Sequence, residues 1–121
     1  MKRVLFVDDE PDVLNGLRRA LRPKRDLWDM VFVAGPELAL ERIAEERFDV
    51  VVSDLHMPRI SGIDLIQRVL VGHPETICML LSGTADLRDA EAIVKHVMSK
   101  PCDPGKLSRV IDAALAAREA A

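Results

Sequence analysis

The chain lacks the features that would place it among disulfide-rich, membrane-spanning or nucleic-acid-binding proteins. It has only two cysteines, and its net charge is -3, with positive and negative residues mixed and no basic stripe. Its apolar stretches fall well short of the roughly 18 residues that a membrane helix needs. These absences exclude a disulfide framework and predict no direct contact with nucleic acid or a membrane.

The N-terminal sequence and the two cysteines indicate in which compartment the protein works. The chain enters an apolar run almost at once, without the apolar stretch and small-residue cleavage site of a signal peptide. Cys78 lies in an apolar run and Cys102 in a loop, and neither belongs to a zinc-ligand pattern. With 121 residues, of which 49% are hydrophobic, the chain can bury one core. We therefore expect a single cytoplasmic domain over residues 1–121.

What the chain does have is a regular alternation of apolar runs and helical periodicity. The apolar runs predict strands at residues 4–7, 30–33, 50–52, 77–81 and, more weakly, 96–99. The segments after them carry apolar residues three and four apart, such as Ile63, Ile66 and Leu70 in the third. A βαβαβαβαβα order demands a parallel sheet with right-handed crossovers and helices on both faces. The pattern predicts a doubly wound α/β fold.

Polar residues gather where the predicted strands end. Asp8 and Asp9 follow the first strand, Asp54 the third, Ser82 the fourth and Lys100 the fifth. Ligands of doubly wound sheets bind beyond the carboxyl ends of the strands, near the point where the strand order reverses. We therefore expect these side chains to share one crevice.

Carboxylates at the mouths of buried strands would repel one another and resist desolvation unless a cation lay among them. Oxygen ligands of this kind suit Mg²⁺. One carboxylate can act as a nucleophile, while Mg²⁺, Lys100 and Ser82 hold the three oxygens of a phosphoryl group. The set of residues therefore predicts phosphoryl transfer.

Each of these residues alone has a plainer explanation. Asp8 and Asp9 could be acids favoured by the dipole at a helix N-terminus. Asp54 and Ser82 could be ordinary turn residues, and Lys100 could be a solvated lysine at a strand end. The combination at one predicted sheet edge favours the functional interpretation. Outside this set, an arginine-rich segment is interpreted most simply as a solvated helix face: Arg18, Arg19 and Arg22.

The same stretches resemble the receiver domains of bacterial two-component response regulators over essentially the whole chain. The matching segments are VLFVDDEPDV, FDVVVSDLHMPRISGIDLI, LLSG and SKPCD, in the family's order and near its spacing. The resemblance implies a flavodoxin-like (βα)5 fold with strand order 2-1-3-4-5, which places the first and third strands side by side. It also implies a phosphorylation-dependent signalling switch rather than an enzyme with its own substrate.

The resemblance assigns a role to each residue by position. Asp54 resembles the phospho-acceptor, which takes its phosphoryl group from a sensor histidine kinase or a phosphotransfer protein. Asp8 and Asp9 resemble the acidic pair that binds Mg²⁺, directly or through water. Asp54 and the backbone carbonyl of His56 would complete the metal site. The hydroxyl and the ammonium that hold the phosphoryl group are those of Ser82 and Lys100.

Two departures concern the output surface. Family members contact an output domain or partner protein through the face made by the fourth helix, the fifth strand and the fifth helix. Val97 stands where receivers commonly carry an aromatic residue, and the segment from Ser82 to Lys100 is shorter than in many of them. The coupling to this face, and homodimerisation through it, stay open. The Lys100–Pro101 peptide is usually cis in the family.

Three other functions compete with the switch. A phosphatase with an aspartyl-phosphate intermediate typically has a second acid two residues after its nucleophile, where this chain has His56, and it needs a cap domain. A nucleotide-binding fold needs a glycine-rich loop, and FVDDEPD contains no glycine. A degenerate receiver would signal without phosphate. The chain either acts alone on a partner or is the receiver of a longer regulator.

Overall fold

The structure, a computed structural model, describes residues 1–83, 90–92, 94–100 and 103–120. Within these ranges five parallel strands form one sheet in the order β2-β1-β3-β4-β5, which confirms the predicted fold and strand order. The strands are β1 (Lys2–Asp8), β2 (Trp28–Ala34), β3 (Val50–Asp54), β4 (Ile77–Ser82) and β5 (His96–Ser99).

Helices cover both faces of the sheet. They are α1 (Pro11–Ala20), α2 (Pro36–Glu45), α3 (Gly62–Gly72) and the C-terminal helix (Pro104–Ala120), with a 3₁₀ turn at Arg22–Lys24. Pro11 and Pro36 open their helices, where the missing N–H has no helical partner to lose. The side chain of Ser61 caps α3 by accepting a hydrogen bond from the Asp64 N–H at 3.1 Å.

The predicted fourth helix falls largely on residues 84–89 and 93, outside the described residues, as does the Lys100–Pro101 peptide. Two apolar residues of this segment are described. Ala90 and Val94 are buried, and the Val94 N–H donates to the Ala90 carbonyl at 2.8 Å.

Alternation along the central strands divides the core in two. Val4 and Phe6 of β1 pack on one face, with residues of α1 and the C-terminal helix. Leu5 and Val7 pack on the other face, with residues of α2 and α3. All four are at most 3% exposed, so β1 is buried on both faces, as a central parallel strand must be. No helix in the described ranges has the length and apolar content to cross a membrane.

Candidate functional site

The carboxyl edge of the sheet collects the predicted site residues. Asp8 ends β1, Asp54 ends β3 and Ser82 ends β4, and their exposed fractions are 2%, 6% and 0%. Because β1 and β3 are neighbours, with Val7 opposite Ser53, the two aspartates leave adjacent strands side by side. The strand order that the sequence predicted is therefore what brings the two buried acids together.

Lys100 joins these two aspartates. Its backbone N–H donates to the Ser82 carbonyl at 2.9 Å, which continues the pairing of β4 with β5 and directs the side chain into the crevice. Its Nζ donates to Asp8 Oδ2 at 3.0 Å and lies 3.3 Å from Asp54 Oδ2. One ammonium group thus contacts two buried carboxylates.

The surroundings shift the pKa values of this trio. Burial raises the pKa of Asp54, and the charge of Asp8 adds to this. The charge of Lys100 and a backbone hydrogen bond from His56 act in the opposite direction without cancelling it. Burial lowers the pKa of Lys100, but the hydrogen bond to Asp8 and the charges of both aspartates raise it above its ordinary value. The lysine is accordingly held in its charged form.

Asp9 and Glu10 extend the site toward solvent. Both are exposed, and carboxylate oxygens of Asp8, Asp9 and Glu10 lie within 4.8 Å of one another. The Glu10 N–H also donates to Asp8 Oδ1 at 3.0 Å. Asp54 does not belong to this group of three. It is linked to Asp8 through the Lys100 ammonium, which contacts both carboxylates. Glu10 was missing from the predicted ligand set, although its place directly after the acidic pair was a visible signal.

The two remaining predicted residues differ in their surroundings. The side chain of His56 is exposed, and its backbone contributes the hydrogen bond that lowers the pKa of Asp54; the role of its carbonyl stays a prediction. The hydroxyl oxygen of Ser82 is buried and has no hydrogen-bond partner among the described residues. Most buried polar atoms are paired, so this hydroxyl needs an explanation.

Backbone contacts in the loop between β3 and α3 hold Asp54 in position. The Gly62 N–H donates to the Leu55 carbonyl at 2.8 Å, and the Leu55 N–H donates to the Leu81 carbonyl at 2.9 Å. A Cβ at Gly62 would lie 2.3 Å from the Asp54 carbonyl oxygen, which real contacts do not allow. The structure therefore shows a close approach of backbone to backbone at Gly62.

A comparison with protein families decides what kind of domain carries this site. Residues 4–112 match the model of the response regulator receiver domain. The chain belongs to this family. The predicted resemblance is therefore confirmed, and receiver domains are mostly signalling modules of two-component systems without enzymatic activity of their own.

Relatives of this receiver domain are larger proteins. The response regulator protein PilR of Pseudomonas aeruginosa is 31% identical in an alignment of 121 positions, which covers 97% of this chain and 27% of PilR. Protein-glutamate methylesterase/protein-glutamine glutaminase 3 of Rhodopseudomonas palustris is 31% identical in an alignment of 104 positions, which covers 82% of this chain and 29% of that protein. The receiver domain thus spans under a third of the length of these curated relatives.

A solved structure with a similar fold is the signal receiver domain of an HD domain-containing protein from Pseudomonas fluorescens. It superposes with a TM-score of 0.86 at 29% sequence identity, over 98% of this chain and 90% of that one. The agreement extends over the whole sheet and not only over the sequence motifs.

Proposed function

We propose that this receiver domain is a signalling switch that accepts a phosphoryl group on Asp54. The observation that carries the proposal is the contact of one Lys100 ammonium with both buried aspartates, at 3.0 Å from Asp8 and 3.3 Å from Asp54. A buried carboxylate beside a fixed cation suits a nucleophile whose product carries more negative charge than its reactant. The crevice therefore supplies both the attacking oxygen and a compensating charge.

The phosphoryl group would be transferred to Asp54 from a phosphohistidine of the donor protein. An oxygen of Asp54 forms a bond to phosphorus while the bond from phosphorus to the imidazole nitrogen breaks, and the leaving imidazole takes up a proton. The product is an acyl phosphate. Water later cleaves it to regenerate the carboxylate and release inorganic phosphate, which ends the signal.

The partnerless hydroxyl of Ser82 supports the same assignment. It lies on the crevice side of β4, and its own backbone carbonyl accepts the hydrogen bond that positions Lys100. A phosphoryl oxygen would give this buried hydroxyl the acceptor that the described residues do not supply. Ser82 and Lys100 would then hold two of the three phosphoryl oxygens.

Mg²⁺ fits the donors at this edge, since carboxylate oxygens are the ligands it prefers. Asp8 and Asp9 would hold it, with Asp54, the backbone carbonyl of His56 and the newly noted Glu10 as further candidates. When bound, it would neutralise charge on the phosphoryl oxygens. It would also take over part of the role that Lys100 plays between Asp8 and Asp54.

The wider setting follows from family membership. The donor would be a sensor histidine kinase or a phosphotransfer protein in the cytoplasm, and residues 1–121 would form one receiver domain. The output domain or partner would bind the face formed by the predicted fourth helix, β5 and the C-terminal helix. Val97 on that face is half-buried and packs with the core on the α3 side.

Intact mass spectrometry after incubation with acetyl phosphate tests the proposal. The wild-type protein is expected to gain one phosphoryl group only when Mg²⁺ is present, and hydroxylamine should remove it as it does other acyl phosphates. Asp54→Asn should gain none, whereas Asp64→Asn, which changes an exposed acid on α3, should behave as wild type. No adduct in the wild type would indicate a degenerate receiver. An adduct that persists in Asp54→Asn would indicate a different acceptor.

A further inference from the structure

A second cleft lies away from the proposed phosphorylation site, between the end of α1 and the outer strand β2. It has a volume of about 430 Å³. Three arginines line it, Arg18, Arg22 and Arg25, and its floor is β2, with Trp28, Asp29, Met30 and Phe32; Met1 completes the lining. Trp28 lies opposite Lys2 and Ala34 opposite Asp8, so the cleft runs along β2 from the end farther from Asp8 as far as Phe32. We call it the arginine cleft.

The three arginines of the arginine cleft are exposed cations. No ion pair involves Arg18, Arg22 or Arg25 within the part of the chain that the structure describes. Arg18 lies over the Phe32 ring, 5.0 Å from its centroid, which holds its charge beside the floor. The one carboxylate of the cleft, Asp29, is paired with Arg3, so in a chain with a net charge of -3 the three guanidinium groups form a local site for anions.

The floor of the cleft is also an open edge of the sheet. β2 is the first strand in the order, so among the described residues it pairs on one side only. The Lys2 N–H donates to the Leu27 carbonyl, and the Gly35 N–H donates to the Asp8 carbonyl. Odd-numbered residues therefore point their backbone groups at β1. By alternation, those of Met30 and Phe32 point outward.

We propose that the arginine cleft and the open edge of β2 bind an extended, acidic segment of a partner protein, added to the sheet as a sixth strand. The outward backbone groups of Met30 and Phe32 supply main-chain hydrogen bonds, as in other cases of strand addition. Side chains at alternate positions of the added strand face the cleft. Acidic residues at those positions pair with Arg18, Arg22 and Arg25.

The shape of the site favours a protein segment over a small phosphorylated molecule. The arginines are exposed and the cleft opens along the strand, whereas small-molecule sites usually enclose most of their ligand. A small ligand also would not use the row of outward backbone groups. The inference does not depend on phosphorylation of Asp54, and the two can fail separately.

A designed peptide tests the charge requirement. The probe is a seven-residue peptide, matching the length of β2, with Glu at alternate positions, Thr between them and a fluorescent label. Fluorescence anisotropy should show saturable binding that weakens with salt. The double variant Arg22→Glu/Arg25→Glu should weaken it by about tenfold or more, as expected for reversal of close charge pairs. The matched control Arg19→Glu/Arg68→Glu makes the same change of net charge outside the cleft and should stay within about twofold of wild type.

N-methylated peptides test the strand addition itself. One version carries N-methyl groups on the amides that would face β2, and the other on the amides that would face solvent. The proposal requires the two versions to differ strongly, with only one of them losing affinity. Equal binding of both versions, or no binding of the parent peptide to a protein with wild-type circular dichroism, overturns it. Binding of pyrophosphate at the arginines without peptide binding also overturns it and assigns the cleft to a phosphate-bearing ligand.

Discussion

The ammonium group of Lys100 lies between two carboxylates that would otherwise face each other in a buried crevice. It is 3.0 Å from Asp8 Oδ2 and 3.3 Å from Asp54 Oδ2, and its side chain is only 23% exposed. Two like charges this close to a single cation are stable only while the cation stays in place. Lys100 therefore serves the fold as well as the proposed chemistry.

Replacing Lys100 with methionine should expose this dependence. Lys100→Met removes the cation and keeps most of the apolar stem, so the two aspartates lose their shared partner. We expect the free energy of unfolding at neutral pH to fall by roughly 1–3 kcal/mol, the usual cost of leaving a buried polar group unpaired. Because Mg²⁺ would neutralise the same carboxylates, it should stabilise Lys100→Met more than wild type. Urea unfolding with and without Mg²⁺ measures both effects, and an equal gain in the two proteins would contradict the neutralising role.

Removing the charge of Asp54 should have the opposite effect and raise the free energy of unfolding. Its folded-state pKa is raised, chiefly by burial, above the ordinary aspartate value of 3.8. The folded state therefore binds more protons than the unfolded state between these two values, so stability is lost as the pH rises through them. In metal-free buffer, Asp54→Asn should be more stable than wild type at neutral pH, by an amount within the roughly 0.5–3 kcal/mol of typical substitutions. The difference should shrink as the pH falls toward 3.8. A difference that stays constant with pH would rule out titration of Asp54 as its cause.

The residues of this crevice could be predicted because the ends of apolar strands can be located in a sequence. The contacts between their side chains could not be predicted. Parallel strands must all end at one edge, so Asp8, Asp54 and Ser82 were expected to meet. Which carboxylate a flexible lysine contacts depends on distances of a few tenths of an ångström. The shared position of Lys100 between two aspartates therefore appears only in the structure.

At the scale of elements, α3 is held against the sheet at its first residue. A Cβ at Gly62 would meet the Asp54 carbonyl oxygen at 2.3 Å, a Leu80 methyl at 2.8 Å and the Leu55 Cα at 2.9 Å. Two of these three atoms belong to the backbone, which cannot move aside as a side chain can. The start of α3 and the end of β3 are consequently positioned as one unit.

Gly62→Ala should separate these two elements. We expect it to lower the free energy of unfolding by about 1–3 kcal/mol, the range for overpacking a closely packed site. It should also slow phosphorylation by acetyl phosphate, because the displaced backbone carries Asp54. Gly72→Ala is the matched control at the other end of α3, where nothing lies within 4 Å of the new Cβ. It should be neutral or slightly stabilising, since alanine loses less conformational freedom in a helix. Thermal unfolding and the phosphorylation rate compare the two, and equal behaviour would show that the close approach is unimportant.

Among the described residues the predicted strands and helices are confirmed in kind, and their bounds differ mainly where polar residues join them. β1 and β2 each begin two residues earlier than the apolar runs, at Lys2 and Trp28. Asp29 interrupts the apolar pattern of β2 but accepts a hydrogen bond from Arg3 Nε at 3.1 Å, which lets a charged residue sit within the strand. Such a cross-strand pair depends on which strands are neighbours, and periodicity within one segment carries no information about that.

The buried face of α3 shows the same limit. Ile66 is fully buried as predicted, while Ile63 and Leu70 are only half-buried, and Leu65 and Val69 complete the buried face. An apolar helix presents several similar stripes. Contacts with the sheet and with α2 decide which of them is covered.

For the molecule as a whole, charge is arranged differently at the two edges of the sheet. The carboxyl edge concentrates Asp8, Asp9, Glu10 and Asp54 around one lysine. At the amino edge acids and bases alternate, and Asp49 at the entrance to β3 accepts hydrogen bonds from the Arg3 backbone N–H at 2.7 Å and from Arg118 Nη2 at 2.8 Å. Repulsion between like charges destabilises the carboxyl edge, which is the edge proposed for function, whereas paired charges stabilise the amino edge. This is the pattern expected when a functional site costs stability that the rest of the fold supplies.

The contact of Arg118 with Asp49 fixes the C-terminal helix to this stable edge. Arg118 Nη1 also donates to the Asp49 carbonyl at 3.3 Å, so one guanidinium group holds both the side chain and the backbone at the start of β3. Burial raises the pKa of Asp49, but the hydrogen bonds from the Arg3 N–H and from Arg118 lower it by more. The pKa of Asp49 therefore lies below its ordinary value. A lowered folded-state pKa gives stability that is present above the ordinary value of 3.8 and lost as the pH falls through the folded-state pKa.

Arg118→Met should therefore destabilise the whole domain in a pH-dependent way. We expect a loss of about 1–2 kcal/mol at neutral pH, as for a charge-assisted hydrogen bond, and a smaller loss as acid protonates Asp49. Arg47→Met is the control, because Arg47 pairs with Glu75 at 3.0 Å but both side chains are largely exposed, at 77% and 56%. It should cost less than about 0.5 kcal/mol at any pH. Urea unfolding from neutral to acid pH compares the two variants. If Arg118→Met cost no more than Arg47→Met, the contact with Asp49 would not be what holds the C-terminal helix. Its apolar face, through Leu107, Ile111 and Leu115, and its ion pairs with Lys2 and Lys24 would then hold it.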